Sequence, residues 1–326
     1  MTQAAPFAEI WRGPFLESVH SGHAVVCDSS GQILQAWGDP DTVILPRSSA
    51  KMIQALPLIQ SGAADAYGLG PQHLALACAS HQAADLHVGI ISDWLKTLGL
   101  DDSAFRCGTA VPGDEAARNA LVCSGTQPCQ IHHECSGKHA GFLSVNAHMG
   151  GGADYEKSDH PVQRACLEAF ERVTGTTSPG FGIDGCSVPN FATTLHGMAR
   201  AMAHFAAAPD GSAEARLHQA MRLHPDLVAG ETRACTNLMR AMNGKVALKT
   251  GAEGFFIAIL PDQNIGVALK AACGTKRAAE CAITSILVKL GALDPNHPEA
   301  LKYRNAPIEN RRGIITGTLK PAAGFA

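Results

Sequence analysis

Strand-like runs occupy both ends of this 326-residue chain and helical runs fill its middle, and that order limits the fold more than any other feature. Residues 23–28 (HAVVCD) and 32–37 (QILQAW) are short apolar-rich runs parted by Ser-Ser-Gly, which predicts a β-hairpin with Gly31 in its turn. Near the other end, 245–250 (KVALKT), 254–260 (GFFIAIL) and 265–271 (IGVALKA) read as three strands, the last two joined through Pro-Asp-Gln-Asn, and a helix follows over 276–290. Between these groups, apolar spacing predicts helices over 49–60, 84–98, 115–122, 138–148, 161–174, 191–208, 213–224 and 230–241. The first of them is expected to start at a Ser48 or Ser49 cap and to bend at Pro57. Residues 175–185 read as a Gly-rich loop and the C-terminal tail as irregular. Distant strand groups bury their apolar faces most simply in one antiparallel sheet covered by helices. The expected fold is therefore α+β: a single domain over 1–326, with the sheet from about 15–50 and 244–292 and a mostly helical lobe over about 51–243. A cleft between sheet and lobe is the expected place for a site.

Composition narrows the partners. Lys and Arg total 26 against 29 Asp and Glu, so the chain lacks the basic field that nucleic acid or an anionic membrane surface requires. Hydrophobic residues at 46% and charged residues at 17% describe a globular chain, for which a small neutral partner is the better expectation. The 11 cysteines are odd in number and scattered from Cys27 to Cys281, which gives no disulfide framework and favours a reducing compartment. No basic-then-apolar leader opens the sequence and no run is long enough to span a bilayer, so a cytoplasmic location is expected.

Three groups of residues could carry chemistry. Ser48-Ser49-Ala50-Lys51 places a hydroxyl and an ammonium three residues apart at the start of a helix, on one face. Serine is a weak nucleophile near neutral pH and needs an adjacent base, a task lysine performs only without its proton. A capping serine with a solvated lysine fits the same four residues. Lys249-Thr250-Gly251 ends a predicted strand far downstream, and the pairing of Ser-x-x-Lys on a helix with Lys-Thr-Gly on a strand is the arrangement of penicillin-recognising serine acyl-enzymes. Alone, Lys249 reads as an ordinary edge-strand lysine. The third group joins His132-His133-Glu134-Cys135-Ser136-Gly137-Lys138-His139 to Asp184-Gly185-Cys186. Two cysteines and a carboxylate from separate loops can bind zinc, with a histidine or a neutral lysine amine completing the set; two buried thiols beside polar loops satisfy the same spacing.

Taken together, Pro46-Arg47-Ser48-Ser49-Ala50-Lys51, Ala79-Ser80-His81, Glu134-Cys135-Ser136-Gly137-Lys138-His139-Ala140-Gly141, Gly182-Ile183-Asp184-Gly185-Cys186 with Pro189, and Lys249-Thr250-Gly251-Ala252-Glu253-Gly254 resemble the rhizobial-type L-asparaginase family over nearly the whole chain. The resemblance implies a serine β-lactamase-like fold, a homodimer, and hydrolysis of L-asparagine to aspartate and ammonia. It implies Ser48 as nucleophile with Lys51 as base and Ser80 with Lys249 as a second Ser-Lys pair. It also implies a zinc site at Cys135, Lys138 and Cys186, with Asp184 close by, that assists substrate binding more than chemistry. For the substrate's α-carboxylate and α-ammonium the chain offers Arg47, Arg233 and Glu253.

The chain departs from that family's pattern at several places. Gln82-Ala83-Ala84-Asp85 stands where Ser-Gly-Glu is expected after Ser80-His81, and Ser187 follows Cys186 where a glycine is usual. Cys107-Gly108-Thr109-Ala110-Val111-Pro112 and Ala271-Ala272-Cys273-Gly274 replace a Pro-His pair and an Asp before Gly. These changes bear on substrate preference and leave the proposed nucleophile and base in place. Three other readings compete: a β-lactam- or peptide-acting serine hydrolase, which predicts a secretory signal and a Ser-Asp-Asn element; a zinc hydrolase using Cys135, Cys186 and Asp184; and a binding protein without turnover.

Overall fold

The structure, a computed structural model, describes residues 3–325. Its strands are β1 (Ala5–Arg12), β2 (Phe15–Asp28), β3 (Ile33–Trp37), β4 (Val43–Ile44), β5 (Phe181–Ile183), β6 (Pro189–Phe191), β7 (Thr193–Thr194), β8 (Ala247–Gly251), β9 (Phe255–Leu260), β10 (Ile265–Ala271), β11 (Ala306–Glu309) and β12 (Ile315–Pro321). Two compact units hold them. The first comprises 1–49, 193–207 and 237–326, the second 50–192 and 208–236.

The first unit is built on an antiparallel sheet in the order β11-β12-β1-β2-β10-β9-β8, with β3 paired to β2. Both chain ends supply its strands, as the order of apolar runs predicts. β2 is long enough to pair with β1 through its first half and with β3 and β10 through its second. Every residue of β9 (FFIAIL) is buried, so both of its faces are covered. The helices Leu195–Ala206 and Lys276–Lys289 pack against it and β10. Gly266 is what lets the first of these come close: a Cβ there would lie 2.1 Å from the Ala203 nitrogen and 2.3 Å from the Ala199 oxygen.

The C-terminal tail corrects the sequence reading. It is not irregular: β12 pairs with β1 from Ala8 opposite Pro321 to Trp11 opposite Thr318. Gly317, which interrupts the strand pattern, is required by backbone proximity, since a Cβ would stand 2.4 Å from the Trp11 oxygen. Three local readings also change. The loop over 175–185 contains β5, which pairs with the buried β6; Phe181 and Ile183 of β5 are exposed and so leave no burial pattern in the sequence. The helix predicted from 191 begins at Leu195, because the Thr194 side chain accepts the Gly197 N–H at 2.9 Å and caps it there. Ser48 and Ser49 do not cap a helix; they lie within a 3₁₀ turn, Arg47–Ala50, that runs into the helix Lys51–Gln54. The break before Leu56–Gln60 falls at Ala55, with Pro57 in that helix's first turn, where its missing N–H costs nothing.

The second unit is mostly helical. Its central helix, Ser136–Met149, is buried at every position from Ser136 to Val145, and such all-round burial marks a helix enclosed by others. Helices Leu56–Gln60, Pro71–Ala77, Asp85–Thr97 and Pro161–Thr174 pack around it. Among the described residues no helix is long and apolar enough to cross a membrane.

Candidate active site

Within the helical unit, close helix packing assembles the polar cluster. Gly137, in the first turn of Ser136–Met149, sits where a Cβ would lie 2.4 Å from the Leu76 oxygen, so the helix abuts Pro71–Ala77 only because a glycine stands there. That approach brings the chain after Pro71–Ala77 beside the chain before Ser136. His81 donates its backbone N–H to the Glu134 oxygen at 3.2 Å, and Ser80 donates its own to Val228 at 2.9 Å. Into this junction reaches Lys51, 1% exposed. Its Nζ donates to the Ala79 carbonyl, contacts Ser80 Oγ at 3.0 Å and Cys135 Sγ at 3.2 Å. Lys51 is thus no solvated helix-end lysine. The lysine of the Ser-x-x-Lys segment and the first cysteine of the proposed metal group, separate constellations in the sequence, meet in one place.

The sulfurs carry the charge that faces the buried Lys138. Cys135 and Cys186 titrate as an interacting buried pair. Their interaction, with burial, holds the Cys135 thiol well above its ordinary range, and the same interaction holds Cys186 well below its own. Lys138 Nζ donates to Cys186 Sγ at 3.0 Å. Burial pushes the Lys138 ammonium down, but the charges of Cys186 and Cys135 outweigh it and hold the ammonium above its ordinary value. His139 is neutral, pushed down to about 4 mainly by burial, and its Nδ1 lies 2.8 Å from the Tyr155 hydroxyl. That hydroxyl accepts the Arg106 N–H, and the ring's other nitrogen, Nε2, is a buried atom without a hydrogen-bond partner among the described residues.

This donor set suits a soft divalent ion: two sulfurs, one held well below its ordinary range, a lysine nitrogen that would give up its proton on binding, and an unsatisfied imidazole nitrogen nearby. Ligand atoms of His133, Glu134 and Cys135 also lie within 4.8 Å of one another. His133 and Glu134 were inside the run that the sequence singled out, but only folding shows which histidine turns toward the cysteine. Asp184 is half-buried in the turn just before Cys186, where its Oδ1 accepts the Gly185 N–H at 2.7 Å. Sequence spacing gave no signal for the pair His81 and Ser136, whose Nε2 and Oγ lie 2.9 Å apart in full burial.

Within the sheet unit, the turn bearing Ser48 packs on the end of β8. Ser49 Oγ donates to the Lys249 carbonyl at 3.1 Å. A Cβ on Gly251 would lie 2.7 Å from the Pro46 oxygen and 2.9 Å from Ser49 Oγ, so the third residue of Lys-Thr-Gly must be glycine for strand and turn to touch. Ser48 itself is half-buried. β8 is an edge strand, yet Lys249 is 0% exposed, with Nζ donating to the Thr250 carbonyl at 2.8 Å. Arg47 and Glu253, two residues offered for the substrate's charged groups, line one groove together with Lys270. Both adopt positive φ, 52° and 58°, without being glycine, a strain that collects at functional sites. Arg233, the third, lies half-buried in the helical unit.

A sequence model described as L-asparaginase II matches residues 8–321. The chain belongs to the L-asparaginase II family. No curated protein matches this asparaginase-family chain. Among solved structures, it is similar to Mglu in its native form, at 11% identity and a TM-score of 0.49, covering 86% of this chain and 66% of that one. For Mglu in its tris and glutamate form the values are 10% and 0.49, with 85% and 60% covered, so the chain spans less than two thirds of the length of these neighbours. A β-lactamase, Mb2281c from Mycobacterium bovis, aligns at 15% identity and a TM-score of 0.46 over 83% of this chain and 95% of that one.

Proposed function

We propose that this member of the L-asparaginase II family hydrolyses the side-chain amide of L-asparagine through a Ser48 acyl-enzyme. The observation that carries the reading is Lys51: an amine 1% exposed, without a carboxylate among its hydrogen-bond partners in the described residues, touching the Ser80 hydroxyl and standing one helical turn from Ser48. In this scheme Lys51 acts as the base that takes the Ser48 Oγ proton as that oxygen attacks the amide carbon. Collapse of the tetrahedral intermediate expels ammonia, which must be protonated as it leaves; the Ser80–Lys249 pair serves as the donor. Lys51 passes the Ser48 proton to Ser80, whose hydroxyl it touches at 3.0 Å, and so restores that donor; water then attacks the acyl-enzyme with Lys51 as base, and the proton it takes returns to Ser48 Oγ as aspartate leaves. Backbone N–H groups holding the oxyanion are worth about 10²–10³ in rate per donor.

Cys135, Cys186 and Lys138, with Asp184 beside them, would hold zinc, which when bound supplies a Lewis-acidic cation that helps retain substrate. Cys135 contacts Lys51 through its sulfur, so a residue that would hold the ion also touches the proposed base. The chain is further expected to act as a homodimer, which sedimentation equilibrium measures. The reading is tested by ammonia release from L-asparagine, L-glutamine and a chromogenic β-lactam, for the wild type, Ser48→Ala and Lys51→Met, with and without chelator. Asparagine turnover lost in both variants supports it. Full turnover by Ser48→Ala overturns it; turnover that survives Ser48→Ala but vanishes with chelator transfers the reaction to a zinc hydrolase.

A further inference from the structure

Tyr155 stands in the loop that joins the helices Ser136–Met149 and Pro161–Thr174, and it is 0% exposed. Three contacts fix it. Its carbonyl accepts the Gln163 Nε2–H at 2.9 Å, its ring meets those of His139 and Phe142 at centroid distances of 5.6 and 6.3 Å, and its hydroxyl accepts the Arg106 backbone N–H at 2.9 Å. The one other atom hydrogen-bonded to that hydroxyl among the described residues is His139 Nδ1, 2.8 Å away. Two proton arrangements fit a neutral ring here. With the ring proton on Nδ1, the hydroxyl accepts two N–H groups, its own hydrogen has no acceptor among the described residues, and the Nε2 lone pair is unpartnered as well. With the hydroxyl donating to Nδ1, only Nε2–H is left over. A buried polar group without a partner is costly, so the arrangement that leaves one is favoured over the arrangement that leaves two.

The other side of the ring belongs to the sulfur cluster. Nε2 makes no hydrogen bond of ordinary geometry, yet after burial Cys186 is the group that acts on His139 most strongly. Cys135, Lys138 and His139 together hold Cys186 below its ordinary range. Two of these three would lose their protons on binding a cation, since Cys135 ligates as a thiolate and Lys138 as a free amine. Lys138, which now donates to Cys186 Sγ at 3.0 Å, would then cease to donate. Of the three, His139 is the donor that remains for the sulfur.

We propose, on the footing of the zinc reading above, that Tyr155 is a positioning residue: its hydroxyl, donating to His139 Nδ1, keeps the ring proton on Nε2, where it supports the Cys186 sulfur as a ligand of a soft divalent cation. The test uses the intact chain stripped of metal, with zinc alone as the probe and its affinity read by competition with a chromophoric chelator. Tyr155→Phe keeps the ring and removes the hydroxyl; it should weaken zinc binding by about 10- to 100-fold, the usual worth of a partner behind a metal ligand. His139→Gln carries an amide N–H near the Nε2 position that needs no tyrosine to orient it, so adding Tyr155→Phe to His139→Gln should weaken zinc no further. Wild-type zinc affinity in folded Tyr155→Phe, or an equal loss on adding Tyr155→Phe in either background, overturns the proposal. Where Tyr155→Phe does not fold, nitrogen NMR of the histidine-labelled wild type decides: His139 should be protonated on Nε2, and protonation on Nδ1 overturns the proposal. A wild type that binds no zinc removes the zinc reading together with this inference, whereas equal binding by wild type and Tyr155→Phe removes this inference alone. Ammonia release is measured nowhere in the test, so the Ser48 scheme stands or falls separately.

Discussion

Replacing Gly251 by alanine isolates the contact between the Lys-Thr-Gly strand and the serine turn. The added Cβ would lie 2.7 Å from the Pro46 oxygen and 2.9 Å from Ser49 Oγ, where ordinary contact begins at 3.4 Å. One neighbour is backbone carbonyl and the other is held by its bond to the Lys249 carbonyl, so neither yields by rotating a flexible side chain. Turn and strand must therefore part by roughly half an ångström or more, and displacements approaching 1 Å at a reacting group cost up to about 10²-fold in rate. Gly251→Ala is expected to lower kcat for ammonia release by roughly 10- to 100-fold. The overpacking itself costs about 1–3 kcal/mol of stability, read as a fall in urea midpoint. Gly266→Ala is the control: its Cβ meets the backbone of Ala199 and Ala203 even more closely, on β10, level through Ile259 with Ala247 at the opposite end of β8 from Gly251, and should cost stability without lowering the specific activity of the folded fraction. Wild-type kcat in folded Gly251→Ala would show that the register of strand and turn has no bearing on turnover, and the reasoning would fail.

Lys51→Met, close in volume, removes the amine and leaves the Ala79 carbonyl without the donor described above; asparagine turnover should fall by at least about 10²-fold, the typical worth of a positioned base, and retention of turnover would reassign the base. Gly137→Ala drives a Cβ to 2.4 Å from the Leu76 oxygen and should lower the thermal midpoint while dispersing the Lys51–Ser80–Cys135 contacts, so that activity and stability fall together. His218, pushed down to about 4 by burial and then by Arg222, is neutral when folded and titrates near 6.5 when unfolded. Its contribution is full above pH 6.5 and is lost as pH falls toward 4, on the order of 2 kcal/mol after allowing for partial solvation. Urea unfolding at pH 7 and pH 4.5 should show a shallower acid loss for His218→Gln, and an unchanged slope would exclude His218 as the cause. Ser187→Gly should raise stability by about 1 kcal/mol, since Ser187 holds a φ of 73°; a fall in the urea midpoint would mean that its side chain offsets the strain.

What was legible in the sequence is what local pattern encodes. β8, β9 and β10 and the helix Pro161–Thr174 follow from runs whose apolar period matches their burial. β12 was not legible because its glycine answers to the Trp11 carbonyl of β1, a partner at the other end of the chain. The same division holds for the candidate site. Motif spacing singled out Ser48, Lys51, Cys135 and Cys186, but the contact between Lys51 and Cys135 depends on two helices meeting at Gly137, and no spacing encodes that meeting. The departures from the family pattern are informative for the opposite reason. Where that pattern has glycine, this chain has Ala83 and Ser187, and their φ values of 56° and 73° are those that favour glycine. The backbone there has kept a glycine's conformation under a side chain, which costs about 1 kcal/mol at each position. Both flank the buried cluster: the Ala83 N–H is accepted by His81 Nδ1 at 3.1 Å, and Ser187 directly follows Cys186. If the cost were not offset locally, the cheaper course would be for each loop to relax and carry His81 and Cys186 with it. The loops have not relaxed, which means that the contacts of His81 with Ser136 and of Cys186 with Lys138 are worth more than the strain they hold in place.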